Sequence, residues 1–116
     1  MNNKKLFEGI DYENNPEWVI KEFFNSIYSQ HKFLWALPFI LKRYGCCVNE
    51  TACTFPDLDD PDPMCHFEGI MFSVYDGEII VPESVGFNYV RLACERYINI
   101  HPDDQITVND LLMQIY

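Results

Sequence analysis

The sequence predicts an α+β fold: an N-terminal helical pair, a small antiparallel sheet centred on a 69–81 hairpin, and C-terminal helices packed on one sheet face. Three observations carry this. GIMFSVYDGEIIVPE (69–83) alternates apolar and polar residues around Asp76-Gly77, the dipeptide favoured in tight hairpin turns. Residues 16–31 and 84–99 repeat apolar side chains at helical spacing. Residues 33–41 (FLWALPFIL) are apolar throughout, too short to span a bilayer and suited to a buried segment.

In chain order, residues 1–13 form a polar arm with Leu6, Phe7 and Ile10 as anchors. The first helix is expected to start at Pro16, capped by Asn15, with Glu17 at the positive end of its dipole. Ile20, Phe23, Phe24, Ile27 and His31 then share one side, while Glu17, Lys21 and Asn25 line the other. Trp18, Val19 and Tyr28 widen the apolar surface, so the helix should lie deep. A second helix covers about Lys32 to Tyr44, with a kink or break at Pro38 and Gly45 just past its end. Trp35, Leu37, Phe39, Ile40 and Leu41 read as core.

CCVNETACTF is expected to hold a strand near residues 47–55, since Val48, Thr51 and Thr54 favour extended backbone. PDLDDPDP (56–63) follows as an exposed, stiffened loop of prolines and mutually repelling carboxylates. In the hairpin, a type I′ turn at Asp76-Gly77 would oppose Tyr75 to Glu78, Val74 to Ile79, Ser73 to Ile80 and Phe72 to Val81. Ile70, Phe72, Val74, Ile79 and Val81 share one face; Met71, Ser73, Tyr75, Glu78 and Ile80 share the other. Two strands are marginal alone, so the apolar face needs a cover. Ser84 can cap the next helix, whose polar stripe is Asn88, Arg91, Glu95 and Asn99 and whose apolar stripe is Phe87, Val90, Ala93, Cys94 and Tyr97. HPDD turns the chain. A last helix starts at Thr107 and is anchored by Leu111, Leu112 and Ile115.

At 116 residues, 48% apolar and 16% aromatic, the chain suits one core-bearing domain (1–116) rather than a disordered segment. The first fifteen residues lack the apolar run of an export signal, so a cytoplasmic location is expected. Charge is one-sided. Residues 1–45 carry six basic and five acidic side chains, net +1; residues 46–116 carry two and thirteen, net −11, with no lysine. That half repels nucleic acid and anionic membrane and attracts basic partners.

Catalysis finds little support. His31, His66 and His101 stand in no motif with a nucleophile or carboxylate, and no G-x-S-x-G, phosphate loop or H-E-x-x-H occurs. Cysteines 46, 47, 53, 65 and 94 lack metal spacing, and Cys53, Cys65 and His66 have no fixed tetrahedral pattern. A calcium loop starting at Asp57 fails on turn geometry, because Asp62 takes the glycine position. No cofactor or metal is expected. What remains is binding, with Asp57, Asp59, Asp60, Asp62, Glu68, Tyr75, Asp76 and Glu78 as partner-binding candidates. They combine carboxylates for orientation and fast capture with an aromatic anchor.

YDGEIIVPE (75–83) followed by YVRLACERYINIHPDD (89–104) resembles the immunity proteins of contact-dependent growth inhibition systems, CdiI. The similarity covers roughly residues 66–104, and it transfers no site residue. The resemblance implies a cytoplasmic, non-enzymatic protein that binds one cognate toxin, commonly a nuclease at the C-terminal end of a CdiA-like protein. A basic nuclease, a ribonuclease first, matches the charge, since its cleft must hold phosphates. The alternatives are an acidic adaptor or nucleic-acid mimic, and less so a metal-dependent enzyme.

Overall fold

The structure, a computed structural model, describes residues 5–113. Helices α1 (Trp18–Ser29) and α2 (Phe33–Leu41) precede strands β1 (Cys46–Val48), β2 (Thr51–Thr54), β3 (Ile70–Val74) and β4 (Gly77–Val81). Helices α3 (Glu83–Ile100) and α4 (Gln105–Leu112) close the described chain. The four strands form an antiparallel meander in the order β1-β2-β3-β4. The predicted α+β architecture is therefore the observed one.

The sheet has one covered face and one open face. Helix α1 lies across the covered side, where Phe23 and Phe24 meet Phe72 at ring-centroid distances of 5.4 and 6.1 Å. Beside it, α3 reaches the same face through Gly86: a Cβ there would stand 2.6 Å from Ile70 Cδ1, so a larger residue would require the Ile70 side-chain tip to move. Buried Ile20, Phe23, Phe24, Ile27, Leu37, Ile40, Ile70, Phe72, Val90 and Val108 belong to one continuous core. Phe87, Val90, Ala93, Cys94 and Tyr97 are buried as the helical spacing predicts.

Several expectations need correction. The hairpin register places Val74 opposite Gly77, Ser73 opposite Glu78, Phe72 opposite Ile79 and Ile70 opposite Val81. The loop residues are thus Tyr75 and Asp76, not Asp76 and Gly77. Neither they nor Gly77 takes a positive φ, which rules out a type I′ turn. The glycine serves space instead, because the Trp18 indole lies against it. The predicted faces survive, since this slip moves each partner by two residues and leaves the side-chain alternation intact.

The predicted 47–55 strand is two strands turned at Asn49-Glu50, with Asn49 at φ +54° and the Thr51 hydroxyl donating to Val48 O at 2.7 Å. Helix α1 starts at Trp18 rather than Pro16; the Asn15 side chain accepts from Glu17 N in the turn before it. His31 lies beyond that helix at φ +61° and is exposed. Asn25, read as solvent-facing, is buried: its Oδ1 accepts from Phe7 N and its Nδ2 donates to Phe7 O, both at 2.9 Å. That pair ties the N-terminal arm down and buries Leu6 and Phe7.

Helix α2 continues through Pro38 to Leu41, and Trp35 and Phe39 point outward rather than into the core. Helix α3 begins at Glu83 after Pro82, with no side-chain cap from Ser84. Helix α4 begins at Gln105, because the turn Pro102–Asp104 feeds it directly. Ile115 lies outside the described residues.

Candidate functional site

The loop from Phe55 to Gly69 folds largely through its own aspartates. Asp57 Oδ1 accepts from Asp59 N (3.1 Å), Asp60 Oδ1 from Asp62 N (2.8 Å) and Asp62 Oδ1 from Met64 N (2.9 Å). Such contacts are why aspartate starts turns: its short side chain satisfies backbone N–H groups two residues on. Asp57 N donates to Cys65 O at 2.9 Å and closes the loop on itself. His66 Nε2 lies 2.5 Å from Asp60 O. Burial and the charges of Asp60, Asp62 and Asp57 raise the Cys65 thiol above its ordinary pKa. The Asp59 and Glu68 side chains are exposed and hold no hydrogen bond or ion pair to a described residue.

A second group gathers at the hairpin turn. Trp18 underlies Gly77, and Tyr12 leans on Trp18 at 5.4 Å between ring centroids. The Tyr12 hydroxyl donates to Glu22 Oε1 at 2.6 Å. This bond, then desolvation, then the charges of Glu22 and Asp76 push the phenol up to about 12. Asp76 therefore stands within electrostatic reach of Tyr12. Tyr75 projects from the turn 81% exposed, and Tyr12 is 54% exposed. Glu78 lies on the open sheet face opposite Ser73, and Ile80, 49% exposed, lies one row further along opposite Met71.

These two groups sit at opposite ends of the sheet. The loop enters β3 at Ile70 and the turn leaves it at Val74; at about 3.4 Å per residue, five residues separate them by roughly 17 Å. The structure thus brings together Tyr75, Asp76 and Glu78, and separately Asp57, Asp59, Asp60, Asp62 and Glu68. Sequence reasoning missed Tyr12, which the arm and Trp18 carry to the turn. Its only signal was an aromatic residue among acids at 8–13, which no periodicity picks out.

A different aromatic surface lies on α2. Trp35 (49% exposed) and Phe39 (37%) contact each other at 5.1 Å, and Lys32 Nζ lies 5.6 Å from the Trp35 ring. Exposed Lys42 follows at the end of the helix. Nearby Arg43 forks onto Glu83, with Nη2 2.9 Å from Oε1, and covers the Phe87 ring at 5.0 Å.

Burial pushes the Cys46 and Cys94 thiols up to about 11 and about 12, and raises Cys53 as well, which holds them protonated and weakly nucleophilic. Among the described residues no group of three or more His, Cys, Asp or Glu side chains is placed to hold a metal ion. No helix among them is long and apolar enough to cross a membrane.

Comparison with known families adds one match. The family described as CDI immunity protein matches residues 16–112. That span takes in all four strands and helices α1 to α4, well beyond the 66–104 stretch in which the resemblance is visible by eye. It begins after Tyr12. Among curated proteins, nothing matches the chain.

Proposed function

Given that the chain belongs to the CDI immunity protein family, we propose that it neutralises one cognate toxin domain by stoichiometric binding in the cytoplasm. The toxin is a basic nuclease, a ribonuclease first of all, forming the C-terminal part of a CdiA-like protein. The observation that carries the nuclease reading is the net charge of −11 over residues 46–116. A nuclease cleft must be positive to hold phosphates, and a protein of opposite charge is drawn to it and excludes the substrate.

Docking draws on Asp57, Asp59, Asp60, Asp62, Glu68, Tyr75, Asp76 and Glu78, with no direct nucleic-acid or membrane contact. The internal folding of the loop supports this use. The Asp57, Asp60 and Asp62 carboxylates are held in place before encounter, so little of their ordering entropy is lost on binding. Inhibition needs rapid capture and slow release. Surface charge governs the first, and buried aromatic contacts govern the second.

The first test is whether the adjacent upstream frame encodes a large secreted protein with a variable C-terminal end, and the second uses that C-terminal domain. One equivalent of the chain should abolish its cleavage of RNA or DNA, and association should slow as salt rises. A toxin domain that binds but carries no nuclease activity would refute the nuclease assignment while leaving the immunity role. An acidic adaptor would instead bind many unrelated basic proteins with similar strength.

A further inference from the structure

We infer that the toxin is gripped at the hairpin-turn end of the sheet, with Tyr75 at the centre, Tyr12 on one side and the open sheet face at Glu78 and Ile80 on the other. The 56–68 loop, at the far end, steers without gripping. This deepens the reading above and rests on it.

Two surfaces of the described chain expose aromatic side chains of the kind that anchor interfaces. On α2, Trp35 and Phe39 stand beside Lys32 and Lys42, with Tyr44, 73% exposed, just past the end of the helix. At the hairpin turn, Tyr75 and Tyr12 stand beside Asp76, Glu78 and Glu22. A basic partner is repelled by the first and attracted by the second, so charge complementarity chooses between the two surfaces.

The hairpin end is also braced from beneath. Gly77 is packed against Trp18 and Val19, the Tyr12 ring leans on Trp18 at a tilt of 53°, and its hydroxyl is fixed on Glu22. Tyr12, already held in position, loses little freedom on binding, which favours slow release. Beside them the open sheet face supplies apolar contact through Ile80 and half-buried Met71 in one row, with Glu78 in the next. The Asp76 and Glu78 carboxylates hold no hydrogen bond or ion pair to a described residue, so a cationic side chain of the toxin meets them without displacing one. At the other end, Asp57, Asp60 and Asp62 are occupied by their own backbone; the loop exposes Leu58 and Met64, but its one aromatic side chain, Phe67, is half-buried. Charge beside aliphatic side chains, without an exposed aromatic anchor, accelerates encounter more than it holds a complex.

The experiment is surface-immobilised binding of the upstream-encoded toxin domain to purified full-length variants, checked for folding by circular dichroism. Tyr75→Ala and the Tyr12→Ala/Ile80→Ala pair should each raise koff by about 10-fold or more with kon nearly unchanged. Asp59→Asn/Glu68→Gln should slow kon and flatten its salt dependence while leaving koff unchanged. Trp35→Ala/Phe39→Ala should alter neither rate. If the α2 pair raises koff and Tyr75→Ala does not, the docking assignment is overturned while the toxin reading stands. A wild-type chain that forms no complex with the toxin domain overturns that reading and the assignment together.

Discussion

The Trp18 indole lies so close to the backbone of Gly77 that a Cβ at residue 77 would stand 2.8 Å from Cζ2 and 3.3 Å from Val19 Cγ2. A ring cannot yield as a flexible side-chain tip does. Gly77→Ala should therefore destabilise the fold by about 1–3 kcal/mol, the usual cost of forcing an extra carbon into a filled site. Urea midpoints measure it. Trp18→Leu in the same chain should recover most of the loss, and strictly additive effects would show that the clash is not the cause.

Asn25 holds both polar groups of the Phe7 backbone with bonds of 2.9 Å in a buried setting. Asn25→Ala strands a buried donor and acceptor, and should cost about 2–4 kcal/mol. Hydrogen exchange should then quicken first at residues 5–10, while the β3–β4 hairpin stays protected. Equal acceleration in both would mean that the arm is not held by this residue.

Phenols bonded to carboxylates make the fold sensitive to alkali. Tyr12 is pushed up to about 12 chiefly by its hydrogen bond to Glu22, and Tyr89 to about 12 first by burial and then by Glu17. Both values lie above the ordinary 10.0, so these groups release protons more readily once unfolded. Their contribution is complete below pH 10 and is lost as pH rises toward 12. Urea midpoints should fall between about pH 9 and about pH 11.5. In ultraviolet titration, Glu22→Gln should return one late phenol toward its ordinary range; an unchanged profile would refute the assignment.

The loop aspartates should separate by the bonds they make. Asp62 accepts from Met64 N at the start of the Pro63–Cys65 turn, whereas the Asp59 side chain accepts nothing within the described chain. Asp62→Ala should loosen the loop by about 1 kcal/mol, the typical value of a capping side chain, and speed proteolytic nicking within 56–66. Asp59→Ala should leave the nicking rate unchanged. Identical rates for the two variants would contradict the turn geometry.

What could be read from sequence divides along physical lines. The apolar stripe of α3 and the two faces of the hairpin were legible because burial imposes a period, and periods survive small errors in boundary or register. The turn was misread because Asp76-Gly77 has the chemistry of a type I′ loop, while the glycine is demanded by a tryptophan almost sixty positions earlier. Trp35 and Phe39 defeated the pattern as well. A stretch apolar all round suggests immersion, and nothing local reveals that one side has no neighbour. At the candidate site, the loop was visible from composition alone, but not its distance from Tyr75. Separation across a sheet is set by the strand between two segments and appears only when the topology is known.

The meander order of the sheet has one further consequence. Each strand pairs with its neighbour in the chain, and two of the three connections are two-residue turns, at Asn49-Glu50 and Tyr75-Asp76. Short closures lose little chain entropy, and isolated hairpins of this kind form within about 1–10 μs. Most of the sheet can thus assemble locally as the polypeptide is made, leaving the docking of α1 on Phe72 as the slower, longer-range event. For a member of an immunity protein family, quick assembly of the sheet shortens the time before binding can begin.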